Sequence, residues 1–320
     1  MGDKTGIAWT DSTWNVTTGC TKVSQGCKHC YAERVSKRLA GRAGYPADNP
    51  FRLTLHPDRL LIPVRWSRPR LIFTCSMSDL FHADVPDEYI AAVFGVMATA
   101  PQHVFQVLTK RPERMASWFE SLERRAHNAA NVFPNDSLDW RRRHTLRAAL
   151  LRYTGEGRIP AAEDAPWPLP HVWIGTSVEN QAAADTRIPH LLRCPAVVRF
   201  LSCEPLLESV DLRHFLDPLG GVDAFTREML AQGMLSGDQE DSLRRPTVQW
   251  VIAGGESGPG ARPCDEDWLR GLRDQCQRHG VPFFLKQLGG FPHKRDHEQA
   301  VLDGRTWQQM PLPIGKEHAG

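Results

Sequence analysis

Leu71-Ile-Phe-Thr-Cys-Ser-Met-Ser-Asp79 is a short apolar run that ends in small and polar residues. The segment from Asp87 to Ala98 has helical periodicity, and a second apolar run follows it, Val104-Phe-Gln-Val-Leu-Thr-Lys-Arg111. β-Branched and aromatic residues clustered over so short a length favour buried strands. The order strand, helix, strand therefore predicts a parallel sheet.

The same alternation continues along the chain. Helical periodicity recurs from Tyr31 to Leu39 and from Trp268 to His279. With Trp14-Asn-Val-Thr-Thr18 as a first strand, the number of predicted strands reaches about seven, which suits a parallel β/α barrel. The other predicted strands are Val172–Asn180, Val197–Glu204, Val248–Glu256 and Pro282–Gln287. The sequence thus predicts the α/β class and a complete or partial parallel β/α barrel.

Two stretches interrupt the alternation and predict insertions. Residues 117–170 contain arginine-rich segments and a proline-rich end, and they predict an inserted helical subdomain or lid. Residues 212–245 are mostly polar and predict a loop with one helix. The barrel is therefore predicted to comprise residues 1–116 and 171–290. Residues 291–320, rich in glycine, proline and charge, predict an irregular C-terminal tail.

The composition is that of an ordinary globular protein. The chain has 320 residues, 24% of them charged, and its net charge of +2 does not mark a nucleic-acid binder overall. The first residues lack the apolar segment of a secretory signal, and no apolar run approaches membrane-spanning length. We therefore predict a cytoplasmic protein with reduced thiols and no membrane partner.

Three cysteines lie close together in Gly19-Cys20-Thr-Lys-Val-Ser-Gln-Gly26-Cys27-Lys-His-Cys30-Tyr31. Six residues separate the first pair and two separate the second. Three thiolates on one glycine-containing loop could hold three irons of a cubane cluster and leave the fourth iron open to a small ligand. Zinc remains an alternative, with His29 or His82 as the fourth ligand, although the chain has no second Cys-x-x-Cys pair.

Polar side chains close six of the predicted strands. In parallel α/β folds the active site forms at the carboxyl edge of the sheet, so acidic, basic and amide groups repeated at these ends predict a site there. These residues are Ser76, Ser78, Asp79, Thr109, Lys110, Arg111, Glu179, Asn180, Ser202, Glu204, Glu256, Ser257, Lys286 and Gln287.

Several motifs in a fixed order carry a resemblance to a known family. They are the cysteine loop, Ser76-Met-Ser-Asp-Leu-Phe-His82, Leu108-Thr-Lys-Arg111, Ser177-Val-Glu-Asn180, Leu201-Ser-Cys-Glu-Pro205, Gly254-Gly-Glu-Ser257 and Phe284-Leu-Lys-Gln287. Together they resemble a phage-associated family of unknown function that is regarded as a variant branch of the radical S-adenosylmethionine enzymes. The resemblance covers nearly the whole chain apart from the two insertions. In one respect the chain departs from those enzymes: their common cysteine spacing is three residues, then two.

The resemblance implies a barrel of the radical S-adenosylmethionine type, a 4Fe–4S cluster on the three cysteines, and S-adenosylmethionine as cofactor. Its implied reaction is reductive cleavage of the bound sulfonium to a 5′-deoxyadenosyl radical, which abstracts hydrogen from substrate. Ser76, Ser78 or Asp79 would meet the amino and carboxylate groups of the cofactor, and Glu179 or Asn180 its ribose hydroxyls. Tyr31 could shield one cluster edge. The predicted catalytic residues on the substrate side are Lys110, Arg111, Glu204, Glu256 and Lys286, a set whose basic members suit an anionic substrate.

The same resemblance implies a neighbour-encoded partner protein, and the implied chemistry needs an electron donor of the flavodoxin or ferredoxin type. The resemblance does not supply a substrate. The basic residues at the predicted barrel mouth suit DNA, RNA or a nucleotide. Arg124-Arg125 and Arg141-Arg-Arg143 favour an alternative, a non-catalytic nucleic-acid-binding protein with a structural zinc or iron–sulfur site. Glu120, Glu123 and Asp139 could instead neutralise these arginines on a solvated helix face.

Overall fold

Strands and helices alternate along most of the chain. The computed structural model describes residues 5–155, 166–296 and 299–311. In the described residues the strands are β1 (Ser12–Trp14), β2 (Thr17–Thr18), β3 (Thr54–Leu55), β4 (Leu71–Thr74), β5 (Val104–Thr109), β6 (Val172–Ser177), β7 (Arg199–Cys203), β8 (Trp250–Gly254), β9 (Phe283–Gly289), β10 (Arg295–Asp296), β11 (Val301–Leu302) and β12 (Arg305–Thr306). The helices there are α1 (Tyr31–Arg38), α2 (Asp87–Thr99), α3 (Pro112–Asn128), α4 (Leu138–Thr154), α5 (Gln181–Leu192), α6 (Arg213–Leu216), α7 (Ala224–Ala231), α8 (Gly237–Leu243) and α9 (Glu266–Arg278).

One curled, eight-stranded sheet organises these elements. Its strands follow the order β1-β4-β5-β6-β7-β8-β9-β10, and every neighbouring pair is parallel except β9 with β10. Parallel neighbours need long crossovers, and α2, α3, α5 and α9 supply them between successive strands. The sheet ends at β1 and β10 without closing on itself. The predicted α/β class is thus confirmed, and the barrel is a half-barrel rather than a complete one.

The two faces of the curled sheet carry different residues. Side chains alternate along a strand, so each strand contributes to both faces. On the concave face, Trp9 packs with an aromatic-rich set from the strands: Phe73, Trp173, Phe200, Trp250, Ile252 and Phe284. The other face packs under the helices in a larger core that includes Ile72, Ile174, Leu201, Val251 and Leu285. Aromatic side chains therefore fill the interior of the half-barrel below the carboxyl edge of its strands.

Two predicted strands differ from those observed. Trp14 to Thr18 is not one strand: β1 ends at Trp14, and Thr17–Thr18 instead pair antiparallel with Thr54–Leu55. The second predicted strand ends at Thr74 because Cys75 adopts a positive φ of 61° and turns the chain. The turn is held by Asn15, whose Oδ1 accepts hydrogen bonds from Ser76 Oγ and Met77 N. Ser76 to Asp79 thus form a turn above the sheet.

The region predicted as an insertion packs on the main core. Its predicted start, residue 117, lies inside α3, which begins at Pro112. Leu146 and Leu150 of α4 belong to the same hydrophobic core as the strands. A Cβ on Gly95 of α2 would lie 2.7 Å from the Leu146 carbonyl oxygen, so α2 and α4 approach closely at a glycine. Residues 156–165 of this region lie outside the described residues.

The second insertion and the tail hold more regular structure than predicted. Residues 212–245 form three short helices, α6 to α8, rather than one. In the tail, β10 adds to the edge of the sheet and β11 pairs with β12, while residues 297–298 and 312–320 lie outside the described part. Trp307 is buried and its ring meets Phe283 edge-on, so apolar burial orders this part of a polar segment. No helix in the described ranges combines the length and apolar character needed to cross a bilayer.

His56 is expected to make folding stability depend on pH. It is buried, its Nε2 lies 2.8 Å from Thr18 Oγ1, and burial lowers its pKa to about 4 from 6.5. The folded state therefore favours the neutral ring, so this stabilisation is complete above pH 6.5 and is lost as the pH falls towards 4. We expect a loss of about 3 kcal/mol across that window, at 1.36 kcal/mol per pKa unit. Urea unfolding of wild type and His56→Gln at several pH values measures it, and equal slopes for the two proteins would contradict it.

Candidate functional site

The cysteine loop is anchored above the carboxyl edge of the sheet. It follows β2, and the Gly19 and Cys20 amides donate to the carbonyls of Met77 and Phe51, both at 3.1 Å. Gly19 has a φ of 81°, and a Cβ there would lie 2.2 Å from the Arg52 carbonyl oxygen. Only glycine fits so close a backbone contact, which explains the residue next to Cys20. Cys30 ends the loop directly before α1.

A cavity of about 410 Å³ opens beside this loop, a volume typical of small-molecule sites. It brings together all but two of the residues that the sequence predicts for the site. They are Cys20, Cys27, Cys30, Tyr31, Ser76, Ser78, Asp79, Lys110, Arg111, Glu204, Glu256 and Lys286. Residues more than 250 positions apart in the chain meet here because parallel strands present their carboxyl ends at one edge.

The donor set suits a thiolate-ligated metal. Cys20, Cys27 and Cys30 are free, half-buried thiols that line the same cavity, and soft thiolates select iron–sulfur clusters and zinc. Within the described ranges, no three His, Cys, Asp or Glu side chains are already grouped so that they could hold a metal ion. Loading would therefore need the three thiols to move towards a common centre, which a single short loop allows.

The zinc alternative depended on His29 or His82 as a fourth ligand. His82 is buried, its Nε2 lies 2.8 Å from Thr21 Oγ1, and its Nδ1 accepts from the Asp84 amide at 3.2 Å. Both ring nitrogens are therefore engaged. His29 lines the cavity.

The thiols differ in how readily they ionise. Burial and the Asp79 carboxylate raise the pKa of Cys20, and they outweigh Arg111, whose Nη1 lies 3.5 Å from the sulfur. Burial also opposes ionisation of Cys27, but backbone hydrogen bonds and the charge of Lys110 outweigh it and lower its pKa. Since the thiolate is the form that binds metal, Cys27 is better prepared for it than Cys20.

Asp79 is the hydrogen-bonding centre beside Cys20. Its Oδ1 accepts from Thr109 Oγ1 at 2.7 Å and from the Phe81 amide at 3.0 Å. Its Oδ2 accepts from Arg111 Nη1 at 2.9 Å and from the Lys110 amide at 3.0 Å. A carboxylate offers about four acceptor sites, so Asp79 has none left for a bound molecule. Asp79 therefore orients Arg111. The Arg111 guanidinium also donates to the Thr21 carbonyl at 2.9 Å.

Two further groups of charges line the opposite side of the cavity. Lys286 Nζ lies 2.8 Å from Glu204 Oε2, and the side-chain amide of Gln287 also donates to Glu204. Glu256 forms an ion pair with Arg262 at 2.6 Å. Tyr31, the first residue of α1, donates its hydroxyl to the Ser76 carbonyl and so ties this helix to the turn after β4.

Glu179 and Asn180, predicted to hold ribose hydroxyls, do not line the cavity in the described structure. Glu179 is buried and bound to Arg187 at 2.7 Å, and its carboxylate packs against Gly26 of the cysteine loop. Asn180 Oδ1 accepts from the Ala183 amide and caps α5. The cavity wall, as far as the chain is described, includes neither residue. Their side chains serve local structure, so the geometry does not support the ribose assignment.

Several residues of the site were not expected from the sequence. Trp9 and Phe73 line the cavity floor, and the alternation along β4 could have marked Phe73 as facing inward. Arg187 and Arg262 hold Glu179 and Glu256, and no local pattern distinguishes them from surface arginines. The partners are eight and six positions apart, spacings that no local pattern marks, so they meet only where the chain bends after each strand.

Arg262 also connects the loop after β8 to the cysteine loop. Its Nη2 donates to the Gln25 carbonyl at 3.1 Å, while Glu256 fixes the same guanidinium. Arg34 of α1 makes a second link, with its Nη2 3.3 Å from the Ser257 carbonyl oxygen. The two arginines therefore bridge the cysteine segment to the far side of the half-barrel.

Replacing Arg262 by methionine is expected to loosen the cysteine loop without unfolding the protein. The lost hydrogen bond to Gln25 should raise amide hydrogen exchange in residues 20–30 by about tenfold. Exchange read by mass spectrometry measures this. Arg270→Met is the matched control, because Arg270 pairs with Asp267 and Asp303 away from the loop. Unchanged exchange in residues 20–30 would show that Arg262 does not restrain them.

Neighbouring acids neutralise Arg142, one of the five arginines in the two arginine-rich segments. The Arg142 guanidinium donates to both carboxylate oxygens of Glu123. It also forms an ion pair with Asp139. Glu120 is paired with Arg193 of the residues after α5. Glu123 and Asp139 thus neutralise Arg142, whereas Glu120 neutralises an arginine outside the two runs, so the solvated face and the nucleic-acid surface both stay predictions.

A half-barrel with a cysteine loop above its carboxyl edge is the class of structure that these elements define. The chain belongs to a family described as "Protein of unknown function (DUF5131)", whose family model matches residues 4–311. No curated protein and no solved structure matches the chain.

Proposed function

We propose that this protein is an enzyme of the radical S-adenosylmethionine type, with a 4Fe–4S cluster on Cys20, Cys27 and Cys30. The observation that carries the proposal is that three free thiols of one short loop line a single cavity at the carboxyl edge of a parallel half-barrel. A structural metal site is normally closed by four protein ligands, whereas three ligands leave a position for chemistry. The cluster and S-adenosylmethionine together would supply reductive cleavage of a sulfonium.

The residues of this chain would prepare the loop for its ligand. Arg111 and Lys110 place positive charge beside Cys20 and Cys27, which favours their thiolate forms against burial. Asp79 orients Arg111 and so acts as a positioning residue. Arg262 and Arg34 keep the loop over the cavity through the Gln25 and Ser257 carbonyls.

The remaining cavity residues would bind and shield the organic molecules. Ser76 and Ser78 line the cavity on the turn after β4; their hydroxyls already donate to Asn15 Oδ1 and to the Thr17 carbonyl, so each would meet a bound molecule as an acceptor. Trp9 and Phe73 make an apolar floor that excludes water, and radical chemistry needs such exclusion to prevent side reactions. Lys286 and Glu204 form a paired group at the other wall, where a substrate would meet both donors and acceptors.

Anaerobic reconstitution with iron and sulfide tests the proposal. The reconstituted protein should be brown and contain iron and sulfide. After reduction with dithionite, in place of a flavodoxin or ferredoxin donor, it should convert S-adenosylmethionine to 5′-deoxyadenosine. A colourless protein that contains zinc instead would overturn the proposal in favour of a structural metal site. A reduced cluster with bound S-adenosylmethionine but no 5′-deoxyadenosine, with candidate substrates present, would also count against it.

A further inference from the structure

Among the described residues, the charged side chains that line the cavity are matched in ion pairs, with one exception. Arg111 binds Asp79 at 2.9 Å and Lys286 binds Glu204 at 2.8 Å. Two more pairs complete the set: Glu256 binds Arg262 at 2.6 Å, and Lys294 binds Asp296 at 2.6 Å. The exception is the ammonium group of Lys110.

Lys110 lies at the carboxyl end of β5, near the middle of the sheet, and is only partly exposed. Its Nζ donates to Ser177 Oγ at 3.1 Å, and among the described residues no carboxylate forms an ion pair with it. The Glu179 carboxylate interacts electrostatically with Lys110, but it is already bound to Arg187 at 2.7 Å. An ammonium group has three donors, and a partly buried charge without a counter-ion loses hydration that one hydroxyl does not replace. Lys110 is therefore the cavity cation best able to receive an anion.

Two buried polar atoms of cavity-lining residues lack partners as well. The indole Nε1 of Trp9 and the side-chain oxygen of Gln287 have no hydrogen-bond partner in the described residues, although both side chains are at least 95% buried. The orientation of the Gln287 amide is fixed, because its nitrogen donates both to Glu204 and to the Gly255 carbonyl. Buried polar groups are normally hydrogen-bonded, so an unpaired donor and an unpaired acceptor at one cavity point to an absent ligand.

We propose that Lys110 binds the carboxylate or phosphate of a small organic anion, whose less polar part lies on Trp9 and Phe73. The apolar floor excludes a bare inorganic ion as the best ligand, since an ion would leave that surface wet. The inference rests on the proposed function, because it names the class of molecule on which that enzyme would act. No bond is made or broken at Lys110, which binds and orients the anion.

Adenosine 5′-monophosphate and adenosine make a matched pair of probes, since they differ by the anionic group alone. Calorimetric titration of the protein before cluster loading should show tighter binding of the phosphate compound by about tenfold or more. Lys110→Met should abolish this difference, and Lys110→Arg should keep most of it. Lys37→Met is the control and should behave as wild type, because Lys37 pairs with Glu33 on the surface of α1.

A second arm distinguishes the sources of the anion. S-adenosylmethionine and its decarboxylated analogue are titrated into the same four proteins. If Lys110 binds the anion of a separate substrate, Lys110→Met lowers affinity for adenosine 5′-monophosphate and leaves S-adenosylmethionine unchanged. If it binds the cofactor carboxylate, the variant weakens S-adenosylmethionine but not the decarboxylated compound. Either result supports an anion site at Lys110.

Other results overturn the inference. Equal affinities of wild type and Lys110→Met for all four compounds would show that Lys110 binds no anion. Equal binding of adenosine and its monophosphate by wild type, with no cofactor effect, would do the same. If Lys110→Met changes iron loading but no ligand affinity, the role of Lys110 is to stabilise the cysteine thiolates and not to bind an anion. The binding titrations need neither cluster nor turnover, so a failure there is separate from a failure to form 5′-deoxyadenosine.

Discussion

Replacing Cys20, Cys27 or Cys30 by alanine is expected to abolish cluster assembly, the largest effect of any single change in this protein. Three thiolates are the fewest that can hold a cubane cluster with one open iron, and the loop has no fourth cysteine to replace a lost one. Iron and sulfide bound after reconstitution should fall below about a tenth of the wild-type level, since metal affinity depends on the complete ligand set. Visible absorption and metal analysis measure this, and formation of 5′-deoxyadenosine should disappear in parallel.

Cys264→Ala is the matched control for these variants. Cys264 is also a free, half-buried thiol, but the wall of the cavity, as far as it is described, does not include it. This variant should therefore load iron as wild type does. A single alanine variant of Cys20, Cys27 or Cys30 that retains a full complement of iron and sulfide would remove the basis of the proposed function.

Replacing Asp79 by alanine is expected to destabilise the protein by about 3 kcal/mol, because it leaves Arg111 as an unpaired, largely buried charge. Four hydrogen bonds to the carboxylate are lost at once, from Phe81, Thr109, Lys110 and Arg111. Urea unfolding measures the change through the midpoint at constant slope. Iron loading should also fall, because Arg111 would no longer be held against Cys20 and Thr21.

A double variant separates the charge from the hydrogen bonds. Combining Asp79→Ala with Arg111→Met removes the unpaired guanidinium, so the pair should cost less stability than the sum of the two single changes. Glu88→Ala is the surface control, because its ion pair with Arg152 is exposed on both sides and should contribute less than about 1 kcal/mol. Additive losses for Asp79 and Arg111 would show that the two side chains act independently.

The sequence predicted the architecture of the sheet well because that signal is local. Each apolar run, such as Val104 to Thr109, predicts a strand from its own residues. The helical periodicity between two runs predicts the helix that connects parallel strands. The sequence predicted a complete or partial barrel, and the half-barrel is one of these two. No local pattern, however, indicated that the sheet would fail to close. Whether β1 and the last parallel strand meet depends on the curl of the whole sheet, to which every strand contributes a little.

The boundaries of elements were the weaker part of the prediction. The run from Leu71 to Asp79 predicted one strand. In the structure, Asn15 accepts hydrogen bonds from Ser76 and Met77, and β4 ends at Thr74. In the tail, polar composition predicted irregular structure, but burial of Trp307 and pairing with the sheet edge order part of it. In each case a contact from a distant part of the chain decided the local structure.

For the site, the sequence supplied the residue types and the tertiary structure supplied their partners. The cysteine spacing and the polar strand ends predicted residues that, apart from Glu179 and Asn180, line one cavity, because parallel strands must end at a common edge. Only the folded chain shows which carboxylates form ion pairs with arginines. It also shows that Lys110 forms no ion pair with a carboxylate of the described residues. The physical reason is range: periodicity and chain geometry act between neighbours in sequence, whereas ion pairs and cavities form between side chains that only the closed fold brings within a few ångströms.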